Sequence, residues 1–297
     1  MTRMADILCI GSVLWDVIGR SGAVMRVGSD VPGRITRLPG GVAMNIAMTL
    51  RRFGMTPALL TAIGKDEEGQ ELLAFCQRMG LVTDHVYISE DLPTDRYMAV
   101  EGANGLVAAI ADAHSLEAAG AKILSPLVDG PLGAKDAPYR GRIALDGNLT
   151  TDLLGQIARN PAFAAADLRV APASPGKAER LLALTGCKNA TLYVNMEEAG
   201  LLCQTRFDSA EDAALTLHSR GTARVLVTNS GKPAADCGPA GLVVLAPPEV
   251  LVTRVTGAGD TFMAAHIAAE AAGAKSEMAL KTALRAAADY VSGDVRS

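Results

Sequence analysis

Short apolar runs alternate with amphipathic runs along most of the chain, and this alternation limits the possible folds more than any other feature. DILCIGSV (6–13) reads as a strand, GVAMNIAMTLRRFG (41–54) as a helix closed by Gly54, and PALLTAIG (57–64) as the next strand. DEEGQELLAFCQRMG (66–80) carries acids in its first turn and Gly80 at its end, a pattern that suits the helix dipole. GRIALDGN, LRVAPAS, TLYVNM and RVLVTNSG follow as strands, with TDLLGQIARN and SAEDAALTLHSRG as helices between them. Such alternation builds an α/β fold, a mainly parallel sheet flanked by helices on both faces. Two stretches break the rhythm. Residues 19–39 are polar and punctuated by Gly and Pro, and RYMAVEGANGLVAAIAD (96–112) reads as two strands about an Asn104-Gly105 turn. Inserted extended segments at about 13–39 and 92–113 predict a small β-sheet lid beside the main sheet, within one domain spanning 1–297.

With 297 residues, 49% of them hydrophobic, the chain can bury a sizeable core. The net charge of −4, without a basic block or basic aromatic stripe, argues against nucleic acid or a membrane surface as partner. Five scattered cysteines, odd in number and without a C-x-x-C pair, suit reduced thiols better than a disulfide framework or a zinc site. The four histidines lack metal-ligand spacing. The apolar run ILCIGSVLW is cut short by Asp16, and no run reaches the ~20 residues of a membrane helix. The expected location is cytoplasmic.

In open α/β sheets, ligands bind beyond the carboxyl ends of the strands. Those positions hold Asp16, Gly40 and Gly41 with Asn45, Asp146 with Asn148, Asn195 with Glu198, and the stretch TGAGD. There Gly257, Ala258 and Gly259 set backbone N–H groups at a helix start, a natural anion site, beside Asp260, a carboxylate able to take a proton from an attacking hydroxyl. Each group has a plainer reading. Asp260 could cap its helix, Asp16 could cap a turn, and Asn45 could be an ordinary helix residue. Glu198 could serve the dipole, and Asp146 with Asn148 reads as a turn. Neither G-x-x-x-x-G-K-[ST] nor G-x-G-x-x-G occurs, so neither a P-loop nor a dinucleotide fingerprint is present.

VTGAGDTFMAA resembles the C-terminal signature of the ribokinase-like (PfkB) carbohydrate kinases, and PGGVAMNIAMTLRRFG resembles their N-terminal glycine signature. The two stand in the family's order near opposite ends of the chain. PGRITRLPGGVAMNIA, NGLVAAIAD, VAPASPGKAERL and VTGAGD further resemble the pseudouridine kinase branch. The resemblance implies a ribokinase-like fold and an ATP- and Mg²⁺-dependent kinase that phosphorylates the 5′-hydroxyl of pseudouridine. The alternatives are a sugar or nucleoside kinase of other specificity (ribose or adenosine) and a non-catalytic ligand-binding relative. It implies Asp260 as the base, with the Gly257–Gly259 backbone as the anion hole. Asp16, Gly40, Gly41 and Asn45 would hold the ribose, and Tyr97 would stack on a pyrimidine or fill core. Asn195 and Glu198, the N-x-x-E pair, would organise Mg²⁺ and the ATP phosphates, with Glu198 acting on the metal indirectly. Thr228 and Gly231 fall in the nucleotide loop. Arg254 and Val255 stand where many members have Asp-Thr, which puts the family's monovalent-cation site in doubt. Val194 replaces a usual proline, and Ser230 and Ala234 replace common glycines. The exposed edges of a lid sheet predict a homodimer formed through it.

Overall fold

A computed structural model describes residues 5–26 and 28–293. In the main sheet the Ile7–Ile10 strand lies between the edge strand Pro57–Leu60 and Arg142–Asp146, parallel to both. Beyond Arg142–Asp146 follow Asp167–Ala171, Ala190–Asn195 and Arg224–Asn229, all parallel. The antiparallel strands Lys232–Gly238 and Gly241–Leu245 complete this eight-stranded sheet at one edge.

All four residues of the Ile7–Ile10 strand are buried because both faces of the sheet are covered. Leu8 and Ile10 join one core with Leu60, Leu145, Val170 and Leu192, beneath helices that contribute Leu116, Leu153, Ala199 and Ala213. Ile7 and Cys9 face the opposite core, where Ile46, Leu72, Met263 and Leu280 come from Val42–Arg52, Glu67–Arg78, Ala258–Ala271 and Ser276–Ser292. The period of two along a strand divides the residues between the two cores. Each fully buried Leu or Ile contributes on the order of 1.5–3 kcal/mol. Polar side chains cap three helix starts: Asp66, Thr150 and Ser209 accept from Gly69, Leu153 and Asp212 N–H groups at 2.7, 3.2 and 3.0 Å.

A separate four-stranded sheet runs in the order Arg34–Gly40, Leu14–Arg20, Arg96–Gly102, Gly105–Asp112. Two details differ from the sequence reading. PALLTAIG does not form one strand: Pro57–Leu60 belongs to the main sheet, whereas Ala62–Gly64 pairs with Tyr87–Ser89. The hairpin turn is Ala103–Asn104, because a bulge at Val100/Glu101 shifts the register until Gly102 opposes Gly105.

From Ile7–Ile10 the chain next enters the main sheet on one side, at Pro57–Leu60, and only later on the other, at Arg142–Asp146. The order of strands therefore reverses at this point, and the crevice above it is where an open α/β sheet takes its ligand.

Candidate active site

Ser12 and Asp146 meet at this switch point. The backbone N–H of Ser12 (2.8 Å) and its hydroxyl both donate to Asp146 Oδ2, and Asn148 N–H donates to Oδ1 at 2.7 Å. Asp146 and Asn148 thus form the turn read from the sequence. That turn also ties together two strand ends 134 residues apart in the chain.

Gly40 and Gly41 bring the next segment against this network. A Cβ on Gly40 would lie 2.0 Å from Asp16 Oδ2, and one on Gly41 would lie 2.4 Å from the Ser12 carbonyl oxygen. Gly41 also has φ +95°, a conformation that side chains disfavour. It precedes Val42–Arg52, a helix without a side-chain cap of its own. Ser12 serves instead: its hydroxyl accepts from Val42 N–H (3.0 Å) and its carbonyl from Met44 N–H (3.3 Å). One turn further on, Asn45 Nδ2 donates to Asp260 Oδ2 at 2.9 Å, joining the two glycine-bearing segments.

Asp260 lies in the first turn of Ala258–Ala271, whose N-cap Gly257 has φ +88°. The Ala258 N–H turns back to the Val255 carbonyl at 3.1 Å. The N–H groups of Gly257, Gly259 and Asp260 find no acceptor among the described residues. Of the three donors expected from the sequence, two remain free and Asp260 adds a third, at the positive end of the helix dipole. The preceding loop is pinned to the last helix. Arg254 Nε donates to the Tyr290 carbonyl (2.8 Å), its guanidinium lies 3.9 Å from the centre of the Tyr290 ring, and Tyr290 Oη donates to the Thr256 carbonyl at 2.9 Å. A cavity of about 390 Å³ lined by Asn45, Thr49, Arg52, Arg254, Gly257 and Tyr290 opens beside it.

Burial pushes the Asp260 carboxyl up to about 7, and the nearby carboxylates of Asp146, Asp16 and Glu198 add to the shift against the hydrogen bond from Asn45. Burial likewise raises Asp16 to about 6 and Glu198 to about 7. Tyr97 is in register with Asp16 on the neighbouring strand, so both side chains leave the small sheet on one face. Burial and the Asp16 charge push the Tyr97 hydroxyl up.

Asn195 and Glu198 form a capping box at the start of Met196–Cys203. Asn195 Oδ1 accepts from Glu198 N–H at 2.9 Å, and Glu198 Oε2 accepts from Asn195 N–H at 2.8 Å. Glu198 is buried, and its effect on Asp260 places it within electrostatic reach of that carboxyl. Thr228 is in register with Asn195 on the next strand. Gly231 is exposed in the turn beyond, where Ser230 takes φ +50°, which accounts for the glycine common at that position. Neither Thr228 nor Gly231 is hydrogen-bonded to Asp260. Ser12 and Lys177, whose ammonium donates to Asn148 Oδ1, complete the network; Lys177 lies within VAPASPGKAERL, but neither residue was singled out from the sequence as part of a site.

No helix among the described residues is long and apolar enough to cross a membrane. The pattern of the pfkB family carbohydrate kinases matches residues 4–292. The chain is 30% identical over 265 residues to the pseudouridine kinase of Escherichia coli (strain K12), covering 87% of this chain and 81% of that one. It is 27% identical over 301 residues to the guanosine-inosine kinase of Exiguobacterium acetylicum, covering 97% and 95% of the two chains. A carbohydrate kinase from Agrobacterium tumefaciens superposes with a TM-score of 0.81 at 25% identity, covering 99% of this chain and 94% of that one. The chain belongs to the pfkB family of carbohydrate kinases, phosphotransferases that act on an alcohol group of a sugar or nucleoside.

Proposed function

We propose that this protein transfers the γ-phosphoryl group of ATP to the 5′-hydroxyl of pseudouridine. The observation that carries the reaction is Asp260, held by Asn45 beside free N–H groups at a helix start. The Asp260 carboxylate takes the proton of the 5′-hydroxyl as O5′ attacks the γ-phosphorus. The bond from phosphorus to the β–γ bridging oxygen breaks and ADP leaves. The N–H groups of Gly257, Gly259 and Asp260 meet the charge on the transferring phosphoryl oxygens, the kind of fixed electrostatic support phosphoryl transfer depends on. Asp16, Gly41 and Asn45 hold the ribose, Gly40 lets Asp16 approach, and Tyr97 forms a wall beside the base. Thr228 and Gly231 take the nucleotide.

Glu198 suits a Mg²⁺ that arrives on the nucleotide. Only Oε2 of its carboxylate is engaged by Asn195, and no cluster of three metal-ligating side chains exists among the described residues. Mg²⁺ keeps waters and is held through one or two carboxylates plus substrate phosphates rather than by a protein cage. Bound there, the ion would neutralise phosphate charge, with Asn195 and Glu198 organising it. The small sheet acts as a lid over the acceptor. Its face opposite Asp16 and Tyr97 leaves Ile35, Met98 and Ile110 exposed at 76%, 51% and 67%, an apolar surface suited to the same surface of a second copy.

Pseudouridine as acceptor rests on the likeness to the Escherichia coli pseudouridine kinase. The test is ADP release with pseudouridine, uridine, adenosine, inosine, guanosine and ribose as acceptors. Pseudouridine should give kcat/KM at least ~10-fold above uridine, a margin of about 1.4 kcal/mol that one added hydrogen bond can provide. A preference for a purine nucleoside or for free ribose would overturn this choice of acceptor.

A further inference from the structure

Lys177 lies in the irregular helical segment Pro175–Leu184, just beyond the Asp167–Ala171 strand, and is half buried. Its ammonium donates to Asn148 Oδ1. Asn148 Nδ2 donates to Ser12 Oγ (3.1 Å) and Asp146 Oδ2 (3.3 Å), and Ser12 Oγ also accepts from Val42 N–H. One chain of hydrogen bonds therefore runs from the Lys177 ammonium to the Gly41–Val42 segment. Asp146 acts electrostatically on both Lys177 and Asp260, so it stands within reach of each.

An ammonium has three donors. Lys177 uses one, and no carboxylate lies within ion-pairing distance of it among the described residues. Burial, with Arg180 nearby, holds it below the usual lysine range. Its two remaining donors are open to water or to a bound acceptor. Bracing the Asn148 turn does not require it. Arg180 already donates to the Asn148 and Leu149 carbonyls at 2.9 and 3.2 Å.

We propose that Lys177 is a specificity residue whose free ammonium donors engage a carbonyl oxygen on the base of a nucleoside acceptor. This rests on the nucleoside kinase reading above, with the 5′-end fixed at Asp260 and the C1′ substituent extending past Asp146. Lys177 thereby selects acceptors that carry a carbonyl-bearing base at C1′ over the free sugar.

Lys177→Met keeps the stem and removes the donors, Lys177→Gln keeps a neutral donor, and Lys177→Arg restores the charge. With the acceptor that the wild type prefers, Lys177→Met should raise the nucleoside KM by ~10-fold or more, the effect expected of a lost buried hydrogen bond to a charged group, while kcat and the KM for ATP change by less than about twofold. Lys177→Gln should fall between, and Lys177→Arg should recover part of the loss. If Lys177→Met fails to fold, the same comparison is read in Lys177→Gln. An unchanged nucleoside KM, or an equal rise in both substrates' KM values, overturns the role of Lys177. The wild-type acceptor panel separates the two ideas. Preference for free ribose ends the nucleoside reading and this proposal with it. Preference for a nucleoside alongside an insensitive Lys177→Met ends only the proposal.

Discussion

A carboxylate in the first turn of a helix is ordinarily stabilised in its charged form by the dipole, yet Asp260 is pushed up to about 7. Burial and three neighbouring carboxylates outweigh the Asn45 hydrogen bond. The result suits a general base working near neutral pH. The sign of the pH effect follows from the direction of the shift. Asp260 accepts a proton only when ionised, so protonation below about 7 removes the active form. In the free enzyme, kcat/KM for the acceptor should therefore level off above about pH 7 and fall about tenfold per pH unit well below it. Glu198 and Asp16, raised to about 7 and about 6, titrate in the same window, so the measured limb belongs to the carboxylates together. A flat profile down to pH 5 would exclude a base with this environment. Among single residues, Asp260 and Asn45 stood out because they accompany glycines in recognisable motifs, and Asp16 because it follows the first apolar run. Asp146 was placed at a strand end but read as a turn, and Ser12 and Lys177 were not singled out, because their contacts are with residues far away in the chain, such as the 136-residue separation between Ser12 and Asn148.

Among elements, the helices at Glu67–Arg78, Thr151–Arg159 and Ala210–Ser219 were legible because an amphipathic period is a local pattern. The division of PALLTAIG between two sheets was not, since nothing within eight apolar and small residues says which partner strand each half will meet. The hairpin at Lys232–Gly238 and Gly241–Leu245 was missed for the same reason. The Ala258–Ala271 helix is anchored well beyond its functional end. Glu270 receives Arg169 and Arg224 at 2.5 and 2.6 Å, Arg224 also pairs with Asp236, and Tyr193 bonds His266 at 2.9 Å. These contacts tie the helix that carries Asp260 to neighbouring strands. At the other helix of the site, Gly41→Ala forces a side chain into φ +95° with its Cβ 2.4 Å from the Ser12 carbonyl oxygen. Gly54→Ala is the control, with φ +85° and open space around the added carbon. Such a conformation alone costs on the order of 1–3 kcal/mol. Gly41→Ala should lower Tm by more than Gly54→Ala and also raise the acceptor KM, with calorimetry and steady-state kinetics as the readouts. Equal Tm losses would mean that the Gly41–Ser12 approach is dispensable.

For the whole molecule, the parallel part of the main sheet and the helices covering both its faces were readable from alternation, because every buried strand must divide its residues between two covered faces. How copies assemble was open to expectation only through the inserted strands. Ile35, Met98 and Ile110 share the outer face of the small sheet, with Met98 and Ile110 directly paired. If two copies meet there, sedimentation should give a dimer, and Met98→Asp should dissociate it by placing a charge inside an apolar interface. A wild-type monomer at micromolar concentration contradicts that assembly.

The central claim is that Asp260 accepts the proton of the acceptor's 5′-hydroxyl, and the most direct test is the kcat of Asp260→Asn with ATP and pseudouridine. Asparagine preserves the size of the side chain at the Asn45 contact while removing the basic oxygen. Asp260→Asn should fold and bind ATP as the wild type does but turn over at least ~10²-fold more slowly, the contribution of a positioned general base. A folded Asp260→Asn enzyme with near wild-type kcat would contradict the claim.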